Sequence, residues 1–124
     1  MKSLPQGIPG DLGIRSREFF ELILPPADVF EDGPDLVIML DMPGFEKDQI
    51  RTRLSDSALT VSAKREKAER DGVTYSEQRP LRVNKRIPLP VKVETGDDEV
   101  KAKYEDGVLI VKLPVKGAGR VVVE

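Results

Sequence analysis

Ala102-Lys103-Tyr104-Glu105-Asp106-Gly107-Val108-Leu109 holds the end of one alternating run, an Asp-Gly pair and the start of another. Before the pair, Val100, Ala102 and Tyr104 alternate with Lys101 and Lys103; beyond it come Leu109, Val111 and Leu113. A period of two gives each run one apolar and one polar face, as in a half-buried strand. Asp106-Gly107 supplies the positive φ angles that a tight hairpin turn requires. Phe30-Glu31-Asp32-Gly33 is a near copy and is expected to turn in the same way, at Asp32-Gly33.

Between these two places the same period recurs. Ile50, Thr52 and Leu54 form one run, Leu59, Val61 and Ala63 a second, and Leu81, Val83, Ile87 and Leu89 a third. Leu36 to Met42 is apolar on both faces and reads as a strand covered from both sides. Met42-Pro43-Gly44-Phe45 and Glu94-Thr95-Gly96-Asp97-Asp98 are further breakers. Many short strands without a long helical pattern give an all-β antiparallel sandwich. Lys64 to Asp71 is dense in both charges and ends at Gly72, so it reads as a projecting loop, with a short strand around Val73 and Tyr75 beyond it.

The two ends differ from the middle. Pro5, Gly7, Pro9, Gly10 and Gly13 argue against structure at the start. From Ile14 onward Phe19, Leu22 and Ile23 can share a helical face until Pro25-Pro26 stops the helix. The division expected is an arm (1–25), a sandwich (26–114) and a tail (115–124).

Composition removes whole classes of function. The 124 residues contain no His and no Cys, which excludes disulfide scaffolds, zinc fingers and every His- or Cys-based catalytic apparatus. A net charge of -2 provides no global field for nucleic acid. Arg79, Arg82, Lys85 and Arg86 form a basic stretch without interleaved aromatics, which reads as a solvated strand or an interface partner for the many acids rather than an RNA contact. Gly96-Asp97-Asp98-Glu99 lacks the alternating spacing of a calcium loop and reads as a solvated turn. No phosphate-binding glycine motif occurs. No signal-peptide-like or membrane-spanning apolar run is found either, so a cytoplasmic protein is expected, with no cofactor, metal, membrane or nucleic-acid partner and no enzymatic activity. Charged residues make up 34% while Asn, Gln, Cys and Met are few, a balance seen in thermophilic proteins.

Pro26-Ala27-Asp28-Val29-Phe30-Glu31, Leu40-Asp41-Met42-Pro43-Gly44-Phe45, Leu59-Thr60-Val61, Leu89-Pro90 and the opening octapeptide, with Ala102, Gly107, Val108 and Leu109, stand in one order and spacing. Together they resemble the α-crystallin domain of small heat-shock proteins, of prokaryotic and archaeal or thermophilic type. The resemblance implies an immunoglobulin-like sandwich acting as an ATP-independent holdase for non-native client proteins, in a homo-oligomer built from dimers. It implies a dimer strand within Val73 to Gln78, carrying Val73 and Tyr75, that pairs with Ala27 to Phe30 (Ala27 and Val29) of another subunit. It also implies that Val121 and Val123 of the tail dock between two edge strands, in a groove of Ile50, Thr52, Leu54, Val100 and Ala102.

Two departures are visible. Lys85 stands where the family often has an Arg at the dimer interface. Pro88 cannot donate to a ladder, so its strand should end near Ile87 or be exposed there. On pattern alone Val121-Val122-Val123 also reads as a closing strand of the same domain. The apolar face of Ile14, Phe19, Phe20, Leu22 and Ile23 is the expected client contact, against the alternative of a helix packed on its own domain. A monomeric co-chaperone of the CS-domain type, or another protein-binding sandwich, is the competing assignment.

Overall fold

The computed structural model describes residues 17–94 and 101–117. Among these a helix at 17–23 (α1) precedes seven strands: β1 (Ala27–Asp32), β2 (Asp35–Asp41), β3 (Ile50–Leu54), β4 (Ala58–Lys64), β5 (Arg82–Pro88), β6 (Lys101–Glu105) and β7 (Val108–Pro114). They form two antiparallel sheets, β1-β2-β7-β6 and β3-β4-β5. The positions that alternate in sequence meet in register: Leu36, Ile38 and Leu40 lie opposite Leu113, Val111 and Leu109. In the smaller sheet Leu59 and Ala63 lie opposite Ile87 and Val83. These side chains form one core between the sheets. Each large one removed from water contributes about 1.5–3 kcal/mol before ordering entropy is subtracted. On β2, Leu36, Val37, Ile38 and Leu40 are all buried, which is why that strand shows no polar face in the sequence.

The two Glu-Asp-Gly triplets make different turns. Glu105 pairs with Val108 and both Asp106 and Gly107 have positive φ, 54° and 79°, the mirror-image turn that suits strand twist. At the other triplet Asp32 pairs with Asp35, so the turn is Gly33-Pro34 and Asp32 closes the strand, contrary to the Asp32-Gly33 turn expected. Pro34 is the reason: its ring fixes a negative φ at the second turn position, leaving only Gly33 (φ 60°) on the positive side.

After β2 the chain leaves the larger sheet at Met42 and enters β3 of the smaller one. Met42 N–H donates to the Gly107 carbonyl (2.6 Å), and the Tyr104 hydroxyl reaches the carbonyls of Met42 (2.5 Å) and Phe45 (2.9 Å). A Cβ on Gly107 would meet Pro43 at 3.3 Å, so the hairpin and the crossover lie in backbone contact. Arg65 completes the clasp. Its Nε and Nη2 donate to the Pro80 carbonyl (2.8 and 2.5 Å), its Nη1 to that of Gly44 (3.1 Å), and its guanidinium stands 4.9 Å from the centre of the Phe45 ring.

Residues 65–81 contain no strand in this single chain, so the short strand expected around Val73 is absent. A strand needs a ladder partner, and among the described residues no strand pairs with 73–78. Leu81 lies outside β5, which runs on through Pro88; as the edge strand of its sheet, β5 leaves that residue exposed.

Replacing Tyr104 by Phe should remove about 1–2 kcal/mol, because the two carbonyls lose their shared donor. Thermal unfolding should show a Tm roughly 5–10 °C lower. Gly107→Ala should cost at least as much, since it adds left-handed strain to the contact with Pro43.

Candidate functional site

Chemistry in this chain is confined to surfaces, and the sheets decide which surfaces are open. The larger sheet has four strands and the smaller three, so β1, β6, β3 and β5 are edges. Ile50, Thr52 and Leu54 share the core-facing side of β3 with Ala63, Val61 and Leu59 opposite them. Ile50 and Leu54 are half-buried and Thr52 is exposed. On β6, Ala102 is exposed and Tyr104 half-buried, both on the core-facing side with Val111 and Leu109. The Tyr104 hydroxyl ties β6 to the crossover that feeds β3, so the groove residues named from sequence gather along one side of the sandwich, except Val100, which lies outside the described residues. Val121 and Val123 also lie outside them.

β1 and β5 border the other side. The Glu21 carboxylate of α1 accepts from the backbone N–H groups of Leu81 (2.6 Å) and Arg82 (3.1 Å) at the head of β5, and α1 leads directly into β1. Val29 shares the face of Ile38 but remains 38% exposed, because the smaller sheet has no strand beneath it. Ala27 is half-buried at the core margin. Lys85 is half-buried opposite Val61, so its ammonium stem lies on the core-facing side of β5. Val73 and Tyr75 stand elsewhere, 78% and 91% exposed on the projecting loop.

The helix is docked through a mixed side. Arg17, Phe20, Glu21 and Leu24, spaced i, i+3, i+4, i+7, are half-buried, while Glu18, Phe19, Leu22 and Ile23 are exposed. Phe19, Leu22 and Ile23 therefore form an outward apolar face, with Leu22 at 79% exposure. Phe20 does not join them: it is turned toward the domain and meets Phe19 edge to face at 5.5 Å between ring centres. The helical spacing separates the two rings by about 100°. Ile14 lies outside the described residues.

Two groups escaped the sequence reading. Glu77 gathers Arg17 (2.8 Å), Lys67 (3.1 Å) and Arg70 (3.6 Å), fastening the loop to α1. The hydrogen bond from Lys67 and the surrounding cations hold its carboxyl below the ordinary carboxylate value. Arg65 was hidden in the charge run, although it continues the inward series Leu59, Val61, Ala63. Burial, then the neighbouring Arg79, push its pKa below the usual arginine value.

The description "Hsp20/alpha crystallin family" matches residues 28–121, the two hairpins and everything between them. The chain belongs to this family. It is similar to the "Probable 15 kDa heat shock protein" of Leptospira interrogans, 28% identical over 79% of this chain and 75% of that one. A 17.9 kDa class II heat shock protein of Helianthus annuus is 38% identical, with 72% of this chain and 59% of that protein covered. Among solved structures, a deletion mutant of hsp14.1 from Sulfolobus solfataricus P2 superposes with a TM-score of 0.77 at 43% identity, covering 94% of this chain and 99% of that one. The sandwich is thus the α-crystallin fold, and the prokaryotic, archaeal-like character of the sequence has its counterpart in that structure.

A carboxylate with a depressed pKa stabilises the folded form above its ordinary value and ceases to do so as pH falls through the lowered one. Hydrogen exchange of segment 65–81, corrected for intrinsic rates, should therefore rise between about pH 7 and about pH 3. Glu77→Gln should show the faster exchange already at neutral pH.

Proposed function

We propose that this chain is a cytoplasmic holdase that binds unfolding proteins without ATP and works as a larger homo-oligomer of dimers. The observation that carries this is the helix held through Arg17 and Glu21, with Phe20 and Leu24 beside them, while Phe19, Leu22 and Ile23 are left outward. A domain that only needed to fold would turn that face the other way. Exposed apolar surface of this kind binds other unfolded apolar surface without shape selection, as holding requires. The reading assigns no catalytic activity, cofactor or metal, in keeping with a family of chaperones rather than enzymes. Among the described residues no helix is long and apolar enough to cross a membrane.

Assembly is assigned to the ends and edges of the sandwich, with arm, sandwich and tail at 1–25, 26–114 and 115–124. Val73 and Tyr75 reach from the loop to a second copy, where Ala27 and Val29 of β1 and Lys85 of β5 receive them. Val121 and Val123 dock in the groove of Ile50, Thr52, Leu54, Val100 and Ala102 on a neighbour. Burying two Val side chains gives about 3 kcal/mol before the tether is ordered, which alone is millimolar binding or weaker. Several such links in a closed particle hold it while single links open and close.

Light scattering coupled to size-exclusion chromatography should show a large particle for the intact chain and dimers for the Val121→Ala/Val123→Ala variant. A monomer in both cases would favour the CS-type adaptor instead. In an ATP-free assay with a heat-denatured client, Phe19→Ser/Leu22→Ser should suppress aggregation several-fold less than the parent at an unchanged Tm. Equal suppression would move the client surface elsewhere.

A further inference from the structure

The crossover that leaves β2 also closes one side of a cavity. Leu24 and Pro26 from the joint of α1 and β1, Pro43 and Phe45 from the crossover, and Pro80 and Val83 at the head of β5 border a space of about 250 Å³. Its lining is apolar except for Arg65 and Asp41. Four of the lining residues are prolines, whose rings fix φ, and Phe45 and Val83 belong to the core. The space is therefore formed before anything enters it.

Arg65 stands in that wall as a cation without an acid. Its Nε, Nη1 and Nη2 each donate to a carbonyl of Pro80 or Gly44, and both are neutral acceptors. A guanidinium has five N–H groups, so two donors remain. A second guanidinium adds to the charge, because the missing side chain of Gly44 leaves room for Arg65 Nη1, with Arg79 Nη2 at 3.5 Å from the same point. Among the described residues neither arginine forms an ion pair, and Asp41 pairs with neither. Burial, then Arg79, lowers the Arg65 pKa, as expected of a cation short of counter-charge.

An apolar cavity bordered by two guanidiniums without counter-charge matches a ligand with an apolar body and an anionic head. A saturated chain displaces water from the proline, leucine and valine walls, and a carboxylate accepts from the spare N–H groups in a charge-assisted pair. We propose that this cavity binds a medium-chain aliphatic carboxylate, with its chain among Leu24, Pro43, Phe45 and Val83 and its head on Arg65 and Arg79. At about 250 Å³ the space falls just below the roughly 300–1,000 Å³ common for small-molecule sites, which favours one unbranched chain over a fused ring system. None of the residues assigned to clients, dimer or tail lines the cavity, so its ligand does not depend on those assignments.

The test titrates the full-length chain with sodium octanoate below its micelle-forming concentration, followed by calorimetry and by saturation-transfer NMR of the ligand. Saturable binding at one site per chain is expected, with octanol and octylamine at least about tenfold weaker. Arg79→Gln changes an exposed side chain and should weaken octanoate about fivefold while leaving octanol unchanged, a split that lost structure would not produce. Leu24→Trp fills the cavity and should abolish binding, whereas Phe19→Ser/Leu22→Ser on the outward helix face should leave it intact. Where Leu24→Trp fails to fold, the Arg79→Gln split decides alone. Uptake without saturation, equal binding of the three probes, parent-like binding by Arg79→Gln, or loss of binding in the helix variant would overturn the site. Each of these results leaves the holdase reading standing.

Discussion

Tyr104 places one hydroxyl between the carbonyls of Met42 and Phe45, where the chain first leaves one sheet for the other. Everything else about the sandwich follows from holding that corner. The Asp106-Gly107 turn brings its backbone against Pro43, the Gly107 carbonyl takes the Met42 N–H, and Arg65 reaches across from the end of β4 to bind Pro80 and Gly44. A corner that must turn sharply cannot satisfy its own carbonyls by a ladder, so two side chains from distant segments, Tyr104 and Arg65, supply the donors. The Ala102 to Leu109 octapeptide has its spacing because it delivers a ring hydroxyl, a glycine backbone and a core leucine to this one place.

Once the corner is fixed, the unequal sheets determine what remains open. Four strands over three leave β1 overhanging, with Val29 on the core side and no strand beneath it. At the opposite margin β3 and β6 leave Thr52 and Ala102 uncovered. The core itself is complete, so these open positions are available for contacts between subunits without loosening the domain. With the inward side of α1 fastened through Glu21 and Arg17, the opposite side, carrying Phe19, Leu22 and Ile23, is a third open surface.

Most of the sandwich was legible because its strands alternate and its turns carry Gly at positions where only a positive φ will serve. The groove of Ile50, Thr52 and Leu54 and the pairing edge at Ala27 and Val29 come from the family resemblance rather than from alternation, and they belong to the proposed function. What escaped has particular causes. Pro34 moved the first turn by one residue, an effect of the residue after the motif and not of the motif. Phe20 left the outward face because Arg17 and Glu21 are held by partners far along the chain, Glu77 and the backbone at Leu81. Glu77 looked like one acid among many, since an ion-pair hub is made by the convergence of segments and has no local signature. Val73 to Gln78 has strand-forming residues but no described neighbour to pair with, and propensity alone does not make a ladder.

The pairing of β2 with β7 has a consequence for synthesis. The larger sheet consists of two local hairpins, β1-β2 and β6-β7, joined by the β2-β7 ladder that runs from Asp35 opposite Pro114 to Asp41 opposite Val108. Contacts so distant in sequence form late, after loop-closure entropy has been overcome. While the chain emerges from the ribosome, β1-β2 and the smaller sheet can assemble, but β2 has a bare edge and Leu36, Ile38 and Leu40 lack their lateral neighbours Leu113, Val111 and Leu109 until the last strand arrives. The nascent protein thus passes through the same aggregation-exposed condition that its finished family members relieve in others.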